Sequence, residues 1–297
     1  MRLEETMMKH LKTLGSSMLA LSLPLSGMAF HGGDHFDHGF YVGGAAGVSR
    51  LSGDIEQTLF GITHIVLTNI TIGTGYLDTS FDAETTRAMG QIQLGYAIAW
   101  DWLFVGLEVS LNGSQLHLEQ HSQAFGDSYG PTEPPFFDSY DAVRTTITSD
   151  ADIELNNFEP VADLKLGFNL HNKTYLYGRV GAAFNTIEVH DSITYTQAFF
   201  DYFDSAHLNI PQGFRTSESE SKVGLRVGVG VEHKFFDQVS VALDYVHTEY
   251  GSVSVSHFED TIIAFSSIES SEFQFGVSDD VDVRRDVVTL GVNYYFR

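Results

Sequence analysis

The sequence predicts an all-β fold: a transmembrane, antiparallel, up-and-down β-barrel of eight strands with four long extracellular loops, or of ten strands if the loops contribute a further hairpin pair. Three observations carry this expectation. Apolar and polar residues alternate with a period of two along several stretches, as a strand between an apolar solvent and a filled interior requires. The connections between these stretches are alternately long, near thirty residues, and short, near three, whereas hairpin loops usually run to about 2–5 residues. No apolar run approaches the roughly 20 residues of a membrane helix. A soluble β-sandwich would predict neither the alternating connection lengths nor the outward valine stripes.

Residues 1–29 read as a signal peptide. Lys9 to Lys12 is basic, Leu14 to Leu25 is apolar but broken by Pro24, and Gly27-Met28-Ala29 offers the small residues of a cleavage site. Glu4 and Glu5 fit such a leader poorly, which points to Met7 or Met8 as the start. Residues 30–38 form a short tail rich in histidine, and the barrel is expected over 39–296.

The first two strands are read at Phe40 to Leu51 and Thr85 to Ala99, joined by loop 52–84. After the tight turn Trp100-Asp101-Trp102, Leu103 to Leu111 sets Leu103, Val105, Leu107, Val109 and Leu111 against Phe104, Gly106, Glu108 and Ser110. Loop 119–152 leads to a fourth strand in which Leu164, Leu166, Phe168 and Leu170 alternate with Asp163, Lys165, Gly167 and Asn169. A turn at His171-Asn172-Lys173 precedes Tyr175 to Ile187. Loop 188–221 precedes Lys222 to Glu232, where five apolar residues from Val223 to Val231 alternate with charges and glycines. Phe236-Asp237-Gln238 turns into Ser240 to Val253, and loop 249–282 leads to the closing strand Val288 to Phe296. Phe40, Tyr41, Trp100, Trp102, Tyr175, Tyr177, Phe235, Phe236, Tyr294, Tyr295 and Phe296 gather at the short-turn end, as in an interfacial aromatic belt.

Within the last strand, Thr289, Gly291, Tyr294 and Phe296 match the terminal pattern that Gram-negative barrels present to the assembly machinery. The layout resembles the OmpA-like and opacity-type eight-stranded outer-membrane barrels over about residues 39–296. Arg297 after the terminal aromatic departs from that pattern, and the peptidoglycan-binding domain of larger relatives does not follow. The resemblance implies the outer membrane of a Gram-negative cell, both termini and the tail in the periplasm, contact with outer-membrane lipid and lipopolysaccharide, and a role as adhesin, structural protein or small porin.

An eight-stranded barrel has room for little beyond its own side chains. Its expected inward face carries Glu108, Asp163, Lys165, Arg179, Lys222, Arg226, Glu232 and Asp244. Buried charges must be paired, so a salt-bridge plug is expected, with pairs such as Glu108 and Arg226. A channel would instead leave a path along Gly224, Gly228 and Gly230.

The net charge is −23, and the four loops hold 26 of the 39 acidic residues against only Arg144 and Arg215. Nucleic acid is thereby excluded as a partner. Solvation, divalent cations bridging to lipopolysaccharide, or a basic surface partner all suit such loops. Asp279, Asp280 and Asp282 form the densest run, without calcium-loop spacing. The loops are also apolar, at Leu59 to Ile72, Phe136-Phe137, Phe199 to Phe203 and Ile262 to Phe265, which favours strands continued above the membrane as extended hairpins with a core of their own.

The chain has no cysteine, so thiol chemistry is excluded. No cofactor is expected. His31, His35 and His38 are the metal candidates, with His117 and His121 a weaker pair. His247-Thr248-Glu249 with Ser252 is the best fragment of a catalytic set at the outer rim, but it lacks the His-x-Ser of lipid A deacylases, so no enzyme is expected.

Overall fold

The computed structural model describes residues 37–65, 70–100, 102–129, 142–171, 173–200, 206–264 and 270–296. The segment 1–29 expected as a signal peptide, His31 and His35 lie outside them, as do Asp101, Asn172, Phe136 and Phe137.

The described residues fold into ten antiparallel segments: β1 (Asp37–Ile65), β2 (Ile70–Ala99), β3 (Leu103–Ser114), β4 (His117–Tyr129), β5 (Ala142–Leu155), β6 (Phe158–His171), β7 (Thr174–Phe200), β8 (Ala206–Lys234), β9 (Val239–Ala264) and β10 (Ser270–Phe296). Eight of them, β1-β2-β3-β6-β7-β8-β9-β10, close a ring through the β1–β10 and β7–β8 ladders. The other two lengthen ring members. The β4–β5 ladder continues the β3–β6 ladder without change of register, Gly113 facing Phe158 and His117 facing Glu154. The question of eight or ten strands therefore resolves to eight walls, two of them interrupted. At the interruption, Ser114 N donates to Asn157 O and Leu155 N to Leu116 O, so the backbone groups of the bend stay paired.

β1 begins at Asp37, two residues before the expected start, with His38 opposite Ile98. Its alternation places Phe40, Val42 and Val48 outward and Tyr41, Ser49 and Leu51 inward. The same parity exposes Ile92, Leu94, Leu107, Val109, Leu166, Val223, Val227, Val229, Leu290 and Val292. Such a continuous outward apolar surface is the reverse of a water-soluble fold. From Phe40 to Val48, or from Val223 to Phe235, a tilted strand climbs roughly 20–30 Å, the height of a bilayer's hydrocarbon layer. Above it the outer face turns polar: Arg50 pairs with Glu84, Arg284 with Asp54, and His247 with Asp286.

Phe40, Trp100, Trp102, Phe235, Phe236, Tyr294 and Phe296 point outward at the short-turn end. Tyr41, Tyr175, Tyr177 and Tyr295, expected in the same belt, turn inward and pack with Phe104 at the barrel floor. Neighbours along a strand face opposite sides, so a run of adjacent aromatics cannot all meet lipid.

Above the ring the wall divides. The β8–β9 ladder ends at Leu225 and Glu249, and the β2–β3 ladder at Met89 and Ser114. Beyond those points, β9-β10-β1-β2 form one sheet and β4-β5-β7-β8 another, with two unpaired seams among the described residues. The loops are thus extended hairpins. A shared apolar core joins the sheets, with Leu51, Ile55, Val253, Val281 and Val283 from one and Leu118, Ile153, Ile187 and Val189 from the other. The apolar loop segments named from the sequence, Leu59 to Ile72 and Ile262 to Phe265 among them, lie outside the residues whose side chains are described; the core that is described lies in the strands below them.

Candidate functional site

The interior of the ring holds a column of charge that runs nearly its full height. At the floor, Glu232 accepts hydrogen bonds from Ser240 and, at 2.6 Å, from the Tyr295 hydroxyl, while Lys234 Nζ lies 4.0 Å from the centre of the Tyr295 ring. Glu108 comes next. It accepts from Lys165 Nζ at 2.6 Å, from Arg179 at 2.8 Å and from the Tyr41 hydroxyl at 2.7 Å. Glu108 and Asp163 stand directly opposite in the β3–β6 ladder, where two like charges repel. Arg179 bonds both, and reaches Asp244 at 3.2 Å as well. Asp244 also accepts from the Tyr177 hydroxyl at 2.9 Å.

Arg226 carries the column upward, from Asp163 at 3.3 Å toward Glu159 at 3.9 Å. Glu159 in turn pairs with Arg285 Nη1 at 2.6 Å and accepts from Asn112 at 2.6 Å and from Tyr250. Arg285 spends its remaining donors on Ser49 and Ser114. Five carboxylates, Glu108, Glu159, Asp163, Glu232 and Asp244, thus face five cations, Lys165, Arg179, Arg226, Lys234 and Arg285, all buried. Their balance matters because an uncompensated buried charge costs several kcal/mol.

Seven of the eight residues proposed from the sequence sit in this column. Lys222 does not: it is half-exposed and pairs with Glu220 on its own strand. Its position explains this, since β8 leaves β9 at Leu225 and Lys222 stands above the closed ring. The expected pairing of Glu108 with Arg226 is also replaced, because Lys165 on the adjoining β6 and Arg179 on β7 beyond it lie within reach of Glu108. Glu159 and Arg285 were missed. Continuing the alternation of β6 down to residue 159 and of β10 down to residue 285 places both inward, which was the available signal.

The inward glycines make room for this column. A Cβ at Gly230 would come 2.6 Å from Tyr177 Cε2, one at Gly224 would come 2.7 Å from Thr248 Cγ2, and one at Gly228 would come 3.0 Å from Arg179 Cγ. The glycine stripe proposed as an open path is covered by side chains of the adjoining strands β7 and β9.

At the outer rim a bulge in β9 sets Gly251, at φ 75°, opposite Val283 while Glu249 faces Arg284. Glycine tolerates that φ. The bulge turns Tyr250 into the core beside Glu159 and bends β9 away from β8. The rim set expected from sequence does not converge. Thr248 is buried against Arg226, Ser252 is exposed, and His247 faces outward to Asp286 at 2.9 Å. Higher in the extension, Gln57 donates to Ser149 at 2.8 Å and Ser149 to Asp191 at 2.8 Å, bridging the two sheets. Burial and the neighbouring charge of Asp191 push the Asp279 carboxyl up to about 8; burial pushes Asp191 up as well.

In the closing strand, Tyr294 and Phe296 face outward while Thr289 is buried and Gly291 faces inward beside Ala45. A sequence profile described as the outer membrane protein beta-barrel domain matches residues 17–296. Among solved structures, the chain is similar to Ail, the attachment invasion locus protein of Yersinia pestis, in complex with the heparin analogue sucrose octasulfate (13% identity, 84% of this chain and 99% of that one, TM-score 0.29). It is also similar to Neisserial surface protein A (12%, 89% and 100%, TM-score 0.29) and to OprG from Pseudomonas aeruginosa (13%, 89% and 98%, TM-score 0.36). No curated protein sequence matches the chain at a significant level.

Proposed function

Since the chain belongs to the outer membrane protein β-barrel family of the Gram-negative outer membrane, we propose that it is a closed surface barrel that acts through what it holds outside the membrane, and not by conducting solutes. The observation that carries this reading is the filled lumen. Ten buried charges of balanced sign and four inward tyrosines occupy the interior, and side chains of the adjoining strands β7 and β9 cover Gly224, Gly228 and Gly230.

The three short turns share one end of the barrel with its first and last described residues, Asp37 and Phe296, and the aromatic residues gather there, which supports a periplasmic placement of that end. Outward Tyr294 and Phe296 suit the role of an assembly signal, and the exposed apolar band suits outer-membrane lipid. Lipopolysaccharide then meets the charged collar of Arg50, Arg284 and Asp286. Above it, the acidic double sheet is suited to divalent cations or a basic surface partner, in a structural or adhesive role. No catalytic step is assigned.

The test is single-channel conductance of the protein in planar bilayers, for wild type and for Glu108→Ala and Arg226→Ala. A silent wild type with leaking variants supports the closed barrel. Steady conductance of the wild type overturns it and makes the protein a narrow porin.

A further inference from the structure

The outer face of the β4-β5-β7 sheet carries a grid that the lumen does not explain. Leu118, Ile153, Leu155 and Val189 are buried in the extension core, so the residues alternating with them face outward. Ladder pairing then sets His117 beside Glu154 and Glu188 in one row, and Glu119 beside Asp152 and His190 in the next. Within this grid His117 Nδ1 lies 2.9 Å from Asp152 Oδ1 and 3.3 Å from Glu154 Oε1, and the three atoms all fall within 4.8 Å of one another. The other ring nitrogen, Nε2, lies 2.7 Å from Glu119 Oε1.

This arrangement has the form of a metal site. Ligands at about 2.0–2.2 Å from a tetrahedral ion stand roughly 3.3–3.5 Å apart; the separation from Glu154 already matches, and that from Asp152 has to open by about 0.5 Å from a hydrogen-bond contact. A metal-ligating histidine commonly gives its second N–H to a carboxylate, which fixes the tautomer and aims the bare nitrogen. Glu119 stands in that place. Asp152 Oδ1 is itself shielded from solvent and faces the His117 ring nitrogen.

We propose that His117 Nδ1, Asp152 Oδ1 and Glu154 Oε1 bind a zinc(II)-class ion on the outer face of the extension, with Glu119 as the positioning residue of His117. One imidazole with two carboxylates suits zinc, whereas calcium requires six to eight oxygens. The site leaves a fourth position for water or an external ligand. It does not depend on whether the lumen conducts.

The experiment is calorimetric titration of the membrane-extracted protein in detergent micelles with zinc chloride, and with calcium chloride as competitor. The expected result is zinc binding that calcium does not suppress. His117→Ala loses one zinc equivalent, Glu119→Gln weakens that equivalent on the order of 10- to 100-fold, and His121→Ala, whose ring pairs with Asp150 instead, leaves it unchanged. Undiminished zinc binding by His117→Ala or suppression by equimolar calcium would overturn the proposal in favour of diffuse cation binding to surface carboxylates. Compact-form mobility on unheated gels verifies that each variant is folded.

Discussion

Replacing Arg179 by methionine removes the cation that holds Glu108, Asp163 and Asp244 together while keeping most of its buried volume. The three carboxylates then depend on Lys165 and Arg226, and the column carries one net negative charge. At an effective dielectric of about 20, each opposed pair near 4 Å is worth about 4 kcal/mol. Part of that attraction is offset because the guanidinium no longer has to be desolvated. The net expected loss is about 3–5 kcal/mol, the range for breaking one side of a buried ion network. A second substitution, Asp163→Asn on the Arg179→Met background, restores neutrality and is expected to recover about half of the loss. Urea unfolding of the protein in lipid vesicles measures both, with Trp100 and Trp102 as reporters. These are the chain's two tryptophans, and both sit exposed at the short-turn end. A loss below about 1 kcal/mol for Arg179→Met would mean that water solvates the column, and failure of the double variant to improve on the single one would show that charge balance is not what holds it.

Gly230→Ala drives a methyl into Tyr177 and Asp244 and should cost about 1–3 kcal/mol in the same unfolding assay. Lys222→Ala should stay within about 0.5 kcal/mol, since its partner Glu220 is solvated; a larger loss would return it to the column. The Asp279 carboxyl, raised from 3.8 to about 8, keeps its proton in the fold at pH values where the unfolded chain has lost it. Its contribution is therefore complete below about pH 4 and is lost as pH rises through 8, by roughly 1.4 kcal/mol per unit. Amide hydrogen exchange at Val253, Val255 and Val281 should accelerate accordingly beyond its intrinsic pH dependence, and Asp279→Asn should flatten that excess.

The membrane part of this molecule was legible because lipid enforces a strict alternation. Val223 to Val231 cannot face both lipid and lumen, and Glu108, Lys165 and Arg226 fall inward by parity alone. The extension was legible only as a tendency toward longer hairpins. Where the wall splits depends on Leu225 losing its neighbour and on the Tyr250-Gly251 bulge, which a single strand reads as an ending. The Gln57–Ser149–Asp191 bridge joins residues 92 and 42 positions apart, a proximity that no local pattern carries. Glu159 and Arg285 failed for a narrower reason. The strands were ended at the membrane's edge, although the alternation itself runs on through both residues.

The two seams above the ring give the exposed extension something a closed barrel lacks, namely free strand borders. Such borders are templates on which a strand from a neighbouring molecule can add, and one addition invites the next. Upper β8 carries features that oppose this. Its sequence includes Pro211, which offers no amide hydrogen, then Arg215, Glu218, Glu220 and Lys222 among serines and threonines, and these four charged side chains lie at least partly in solvent. A strand approaching this border meets charge and hydration, which disfavours edge-to-edge addition there.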